Sequence, residues 1–97
     1  PAIAFLDLSG YTALTEEHGD QAAAEIAAGV ADVVHEVAVG HGGRPIKWLG
    51  DGVMMHFPDP HAAVASGLDL IEETERAISA PARVGIIEVR PIRELDV

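Results

Sequence analysis

Cysteine is absent from this chain, and basic residues are scarce. Without cysteine among its 97 residues, the chain can form no disulfide, cysteine-ligated zinc site or catalytic thiol, which agrees with a reducing compartment such as the cytoplasm. Only 6 Lys and Arg residues stand against 16 Asp and Glu residues, and the formal net charge is −10. Because nucleic-acid binding needs basic surface to meet phosphates, this balance argues against a nucleic-acid partner.

Long apolar runs are missing too. The most apolar long stretch, residues 22–39, is interrupted by Glu25, Asp32, His35 and Glu36, so it cannot fill the hydrocarbon core of a bilayer. No basic region precedes an apolar run near the first residue, so we expect no signal peptide. The sequence therefore predicts a cytoplasmic protein that makes no membrane contact.

The composition indicates one small folded domain. Apolar residues make up 48% of the chain, more than a disordered protein carries. The length suits a single domain with a small core, and no internal repeat or linker divides the chain. We therefore take residues 1–97 as one domain.

The first half of the chain predicts a strand followed by a long helix. Residues 1–6 are an apolar run typical of a buried strand, and residues 7–10 are typical of a polar turn. Residues 12–18 predict a short helical turn, and Gly19 and Asp20 interrupt it, with Asp20 a candidate N-cap. The helix then continues to Val39 with an apolar stripe formed by Ile26, Val30, Val33 and Val37.

The second half predicts a hairpin, a helix and a last strand. Residues 44–49 and 53–57 read as strands joined at Gly50-Asp51-Gly52. Asp59 as N-cap and Pro60 at the first helical position begin a helix to about residue 78. Its predicted stripe is Val64, Leu68, Ile71 and Ile78, and residues 83–89 form the last strand. The order β-α-β-β-α-β predicts an α+β, ferredoxin-like fold, an antiparallel sheet with both helices on one face.

Asp7 and Asp51 are the two acids whose positions suggest chemistry. Asp7 ends the first strand and Asp51 lies at the tip of the hairpin, and the predicted sheet places these strands side by side. Neighbouring carboxylates repel unless a cation holds them, and Mg²⁺ binds a few carboxylates together with substrate phosphates. One interpretation is a metal site for phosphoryl chemistry. The alternative is that both acids are structural, with Asp7 capping a turn and Asp51 forming part of the Asp-Gly turn.

Residues 8–12 could hold phosphate at the start of the first helix. Backbone N–H groups at a helix N-terminus bind phosphate oxygens. The segment is not a Walker loop, because no GxxxxGK pattern occurs in the chain. Taken alone, this segment is weak evidence for a phosphate-binding site.

Three segments resemble the class III nucleotidyl cyclases, the family of adenylate and guanylate cyclases. Residues 4–12 (AFLDLSGYT) are similar to the family's opening metal motif. Residues 41–59 (HGGRPIKWLGDGVMMHFPD) are similar to its second metal block, and residues 81–86 (PARVGI) to the strand after its second helix. The segments occur in the family's order and cover most of residues 2–86.

The resemblance implies a reaction and a set of site residues. The family cyclises ATP or GTP to the 3′,5′-cyclic nucleotide and releases pyrophosphate. By motif, Asp7, Asp51 and the carbonyl of Leu8 would hold two Mg²⁺ or Mn²⁺ ions, one activating the ribose 3′-hydroxyl and one neutralising the triphosphate. The backbone of four residues would cradle the phosphates: Ser9, Gly10, Tyr11 and Thr12.

Lys47 matches the family's lysine that reads adenine, which favours ATP over GTP. The alternative is an ordinary solvated strand residue. The resemblance also implies a head-to-tail homodimer with a shared site, in which Asp7 and Asp51 come from one subunit and Lys47 from the other. Trp48 is expected to pack in the core or in that dimer interface.

The chain departs from the family after Ile86. There the family continues into a helix with an Asn and, one turn later, an Arg that stabilise the transition state, and neither is present here. Either the chain is shortened, or a segment between Ile86 and Ile87 is missing, which is the expectation we favour. If the segment is truly lacking, catalysis should be crippled, although metal and nucleotide binding could survive.

Two other functions stay open. A cyclase-homology domain without catalysis would act through dimerisation or nucleotide sensing. Another two-metal enzyme on a similar sheet, of polymerase-palm or diguanylate-cyclase type, ranks third. A diguanylate cyclase would carry a hairpin resembling Gly-Gly-Asp/Glu-Glu-Phe, and residues 50–53 do not supply its second acid. The sequence therefore predicts an adenylate cyclase domain first.

Overall fold

A computed structural model describes residues 1–49 and 52–89, without the side chains of residues 11–15 and 18. The predicted element order is confirmed. The elements are β1 (Ala2–Leu8), α1 (Tyr11–Gly40), β2 (Arg44–Leu49), β3 (Gly52–Phe57), α2 (Pro60–Ile78) and β4 (Ala82–Glu88).

The strands form one antiparallel sheet in the order β2-β3-β1-β4. Alternate residues of β1 are buried, and they join a core cluster with side chains from β3, α1 and α2. Both helices therefore cover the same face of the sheet, and the predicted α+β, ferredoxin-like arrangement is confirmed. The opposite side of the sheet is called the open face below.

The buried face of the central strands follows the predicted alternation. Val53, Met55 and Phe57 on β3 are fully buried, as their period of two predicts. Their partners on β1 are Leu6, Ala4 and Ala2. The small residues of β1 leave room for the larger side chains of β3 and the helices.

Helix α1 is long but interrupted. Gly19 has φ 85° and ψ −178°, a backbone conformation that only glycine adopts readily, so the predicted interruption is confirmed. Beyond it, the predicted stripe largely holds, because Val30 and Val33 are buried while Ile26 and Val37 pack partly against the core. In the described part of the chain, neither helix has the length and apolar character needed to cross a bilayer.

Helix α2 begins as predicted but buries a different face. The Asp59 carboxylate accepts a hydrogen bond of 3.0 Å from the His61 backbone N–H. Val64 and Leu68 are 52% and 67% exposed, so the predicted stripe is wrong at these two positions, whereas Ile78 packs partly against the core. The buried residues are Ala63, Ser66, Gly67, Leu70 and Thr74.

The reason for the rotated helix lies at Gly67. A Cβ atom added there would lie 3.1 Å from Val84 Cγ1 and 3.5 Å from Ile86 Cδ1. Helix α2 thus approaches β4 closely through its small residues, and this approach turns the bulkier Val64 and Leu68 outward.

Strand β1 is longer than the sequence indicates, and strand β4 is continuous. Asp7 and Leu8 belong to β1 rather than to a turn. Strand β4 runs without interruption through Ile86 and Ile87, which pair with Ala4 and Ile3 in continuous register. The expected missing segment between Ile86 and Ile87 stays a prediction, because the structure describes the chain in which these two residues are directly bonded.

Replacing Gly43 with alanine should destabilise the fold. An added Cβ would overlap the ring of buried Phe57, so we expect urea unfolding to report a loss of about 1–3 kcal/mol. Gly85→Ala is the matched control, since nothing lies within 4 Å of its Cβ position, and its effect should stay within about 0.5 kcal/mol. Equal losses in the two variants would contradict this packing.

Candidate functional site

Asp7 lies near the end of the central strand, on the open face. It pairs across the sheet with Gly52 of β3 and with Arg83 of β4. Its side chain is 45% exposed, and its Oδ2 atom lies 3.7 Å from a guanidinium nitrogen of Arg83. The carboxylate thus has oxygens open to a ligand and one cationic neighbour.

Gly52 brings the start of β3 close to Asp7. A Cβ atom at this position would overlap the backbone carbonyl of Leu6, so only glycine permits the close approach of the two strands. Asp51, which precedes Gly52 in the sequence, lies outside the described residues. The predicted convergence of Asp7 and Asp51 therefore stays a prediction.

A short turn connects β1 to α1 beside Asp7. Leu8 is buried, and the Ser9 N–H donates a hydrogen bond of 2.9 Å to the Pro81 carbonyl. Gly10 is the N-cap residue with φ 75°, it supplies no capping side chain, and the first turn of α1 carries no acid. The first backbone N–H groups of a helix have no partner within the helix, so this turn suits an anion.

The predicted phosphate-binding residues are placed only in part. Ser9 and Gly10 are described in full, and Tyr11 and Thr12 form the first residues of α1. The side chains of Tyr11 and Thr12 lie outside the description. Their predicted contribution is through the backbone, which the helix start does supply.

Lys47 lies on the same open face as Asp7. It pairs with Met54, which pairs in turn with Phe5, two residues before Asp7 on β1. A β-bulge between Pro45 and Lys47 shifts the register of this edge strand. From ordinary sheet spacings, the Cα atoms of Lys47 and Asp7 lie about 12 Å apart. The Lys47 side chain is exposed.

Trp48 is not a core residue. It lies on the edge strand β2, is 48% exposed, and its ring centroid lies 6.4 Å from that of His35. The expectation of core packing is therefore wrong, and a dimer contact stays a prediction. The edge position explains the exposure, since among the described strands β2 has a neighbour, β3, on one side only.

Arg83 is the site residue that sequence reasoning missed. The block from residue 81 to 86 was recognised as a strand, but only the cross-strand register places this guanidinium beside Asp7. Among the described residues, no three His, Cys, Asp or Glu side chains cluster to hold a metal ion. Asp51 lies outside the described residues.

Solved structures share this architecture. The chain matches a bacterial light-regulated adenylyl cyclase with a TM-score of 0.78 at 22% identity, over 88% of this chain and 50% of that one. The adenylyl cyclase CyaB from P. aeruginosa matches with a TM-score of 0.74 at 24% identity, over 88% and 52%. This chain has the fold seen in nucleotidyl cyclases.

A guanylate cyclase has the same fold. The cyclase domain of RhGC from Catenaria anguillulae, solved in complex with GTP, matches with a TM-score of 0.76 at 20% identity, over 88% of this chain and 53% of that one. The fold is thus common to adenylyl and guanylate cyclases. The likeness does not distinguish between the two nucleotides.

Sequence comparison finds uncharacterized relatives. Proteins of Mycobacterium bovis and Mycobacterium tuberculosis are 36% identical in an alignment of 89 residues that covers 87% of this chain. The chain spans only 22% of the length of these curated relatives. No protein-family model matches the chain.

Asp7 should contribute little to stability. Its ion pair with Arg83 is long and both side chains are well exposed, and such pairs are worth about 0–1 kcal/mol. We expect Asp7→Asn to change the unfolding free energy in urea by less than about 1 kcal/mol. Leu6→Ala, at a buried neighbour, should cost about 2–5 kcal/mol. A large loss in Asp7→Asn would assign Asp7 a structural role.

Proposed function

We propose that the chain is an adenylate cyclase catalytic domain, which converts ATP to 3′,5′-cyclic AMP and pyrophosphate. The observation that best supports this proposal is the positive charge of the open face. Arg44, Lys47 and Arg83 lie on it by strand pairing, with Asp7 as its one described carboxylate. A cationic face on a chain of net charge −10 suits a polyanionic ligand such as a nucleoside triphosphate.

Divalent cations fit the proposed site by donor chemistry. Asp7 presents accessible carboxylate oxygens, and the proposal adds Asp51 and the Leu8 carbonyl, all hard oxygen donors of the kind that Mg²⁺ and Mn²⁺ prefer. A bound ion would offset phosphate charge and acidify the ribose 3′-hydroxyl. The remaining roles belong to groups of the chain itself.

The chain's own groups would bind and orient the nucleotide. The backbone N–H groups from Ser9 to Thr12 would receive phosphate oxygens at the helix start. Arg83 would pair with a phosphate once the Asp7 carboxylate binds a metal cation instead of Arg83, because a guanidinium binds phosphate as it binds a carboxylate. Lys47 would donate a hydrogen bond to the adenine ring.

A head-to-tail homodimer belongs to the proposal. Asp7 and Asp51 would come from one subunit and Lys47 from its partner. The separation of about 12 Å between Asp7 and Lys47 within one chain is compatible with this division. Edge strand β2 also exposes apolar side chains that a partner could cover: Ile46, Trp48 and Leu49.

The second candidate is a cyclase-like domain that binds nucleotide without turning it over. It is favoured by residues 87–97, which follow Ile86 directly and do not supply the helix with an Asn and an Arg that the resemblance implies. Nucleotide binding and turnover must therefore be measured separately. Incubation with Mn²⁺ and either ATP or GTP, followed by detection of cyclic product, decides between the two candidates.

Asp51→Ala should abolish the metal-dependent turnover or binding of ATP. Removing a carboxylate that holds the cations should lower Mn²⁺-dependent cyclic AMP formation by at least about 10²–10³-fold, or Mn²⁺-dependent binding of a fluorescent ATP analogue if turnover is absent. Asp32→Ala is the matched control, since it removes one exposed carboxylate from α1. Unchanged binding and turnover in Asp51→Ala would refute the metal role.

Lys47→Glu should move nucleotide preference from ATP towards GTP. A carboxylate would accept hydrogen bonds from the guanine edge and repel the acceptor atoms of adenine. Competition of ATP and GTP against the fluorescent analogue measures the ratio of their affinities. Arg44→Glu reverses a charge on the same strand and face and should weaken both nucleotides alike. An ATP-to-GTP ratio that stays constant in Lys47→Glu would count against base recognition.

A further inference from the structure

Strand β4 has a free edge in the described sheet. Among the described strands it pairs with β1 alone. At the two ends of this pairing, the Ser9 N–H donates to the Pro81 carbonyl and the Val89 N–H donates to the Pro1 carbonyl. Successive N–H groups of a strand point to opposite sides, so the odd-numbered residues of β4 direct theirs to β1. The N–H groups along the free edge are even-numbered and include those of Val84, Ile86 and Glu88.

The apolar layer between α2 and β4 is not closed at this edge. Val84 and Ile86 face the helices but are only partly buried. The core-facing residues of β1 and β3, in contrast, are almost fully buried. The sheet therefore leaves apolar surface uncovered on the outer side of β4.

Helix α2 presents a further apolar stripe on that side. Asp69 and Glu73 face α1, since Asp69 is hydrogen-bonded to His41 and Glu73 lines a cleft with residues of α1. Gly67 faces β4. With 3.6 residues per turn, the side of α2 that faces away from α1 carries the residues called the outer stripe below: Val64, Leu68 and Ile71. Because α2 packs on β4 and β1 while α1 packs beside β2, the outer stripe overhangs the free edge.

Residues 90–97 follow β4 directly and lie outside the described residues. In their sequence, RPIRELDV, the apolar Leu95 and Val97 alternate with the acidic Glu94 and Asp96. This alternation is typical of a strand with one buried face. Pro91 suits the second position of a four-residue turn. A turn over residues 90–93 returns the chain antiparallel along the free edge of β4.

We propose that residues 93–97 dock as a strand on the free edge of β4, beside the outer stripe of α2. The turn pairs Leu95 with Glu88 and Val97 with Ile86. Both partners on β4 have N–H groups that point to the free edge, as hydrogen-bonded antiparallel pairs require. The inference does not depend on the proposed nucleotide chemistry.

The apolar side chains of the docked strand fit the uncovered surface. Directly opposed residues of antiparallel strands share a face of the sheet, so Leu95 and Val97 lie on the face of Ile86, towards the helices. There they contact Val64 and Leu68, which are exposed in the described structure. The acidic residues between them point to the other face, where water reaches them.

The attachment of this segment to β4 favours it over a second copy of the chain. A segment that follows the strand after one turn has a high effective concentration at the edge, whereas a second copy must associate from solution. Covering the edge also protects it, because an exposed strand edge is a template for pairing with other chains.

Amide hydrogen exchange of the 97-residue chain, followed by NMR, tests the docked strand. The Ile86 and Glu88 amides should exchange at least about tenfold more slowly than the Val84 amide, because Val84 lies beyond the reach of Val97 on the same edge. The Gly85 amide, which points to β1, reports whether the sheet itself is intact.

Leu95→Ser should accelerate exchange at Ile86 and Glu88 by about tenfold or more, because it removes the buried leucine side chain. Asp96→Ser is the matched control, since the neighbouring residue points to the other face, and its exchange rates should equal those of the wild type. Leu68→Ser removes the contact from the helix side and should act in the same direction as Leu95→Ser. The Gly85 amide should keep its rate in all three variants.

Three results would overturn the docked strand. One is equal exchange at Val84, Ile86 and Glu88 in the wild type. Another is protection that Leu95→Ser leaves unchanged or that Asp96→Ser reduces equally. The third is protection that extends to Val84 and falls when the protein is diluted, which would assign the edge to a second copy of the chain.

Discussion

The central strand β1 is the constraint on which the rest of the structure depends. It pairs with β3 on one side and β4 on the other, and its alternating residues separate the core from the open face. A slip of one residue would move Asp7 from the open face into the apolar layer beneath the helices. The burial of Ala2, Ala4, Leu6 and Leu8 therefore also determines where Asp7 points.

Local patterns predicted most of the elements because each is dictated by a few neighbouring residues. Asp59 and Pro60 mark the start of α2 by capping chemistry, and Gly19 marks the break in α1 by its backbone freedom. Non-local features were not predictable in this way. Arg83 reaches Asp7 only through the register of two strands that lie far apart in the sequence. The family motifs indicated Asp7 and Lys47, but not that the two share one face.

Helix α2 illustrates a limit of hydrophobic periodicity. Val64 and Leu68 have helical spacing and are more apolar than most of the residues that are buried, of which only Leu70 is a large apolar residue. The energy of a helix–sheet contact depends on how closely the backbones approach as well as on side-chain size, and Gly67 and Ala63 allow the closer approach. A stripe of small residues is inconspicuous in a hydropathy pattern, so the sequence favoured the wrong face.

Charge is distributed unevenly between the two faces of the molecule. Helices α1 and α2 carry ten of the described Asp and Glu residues, whereas Arg44, Lys47 and Arg83 lie on the open face of the sheet. The acids on the helices repel one another, and Arg76, hydrogen-bonded to Glu73, offsets part of that repulsion. The cations on the open face have few carboxylates on the same face, so their charge is available to bind an anionic ligand. One chain of net charge −10 can thus present a cationic face to an anion, because the sheet and its apolar core keep the two sets of charges apart.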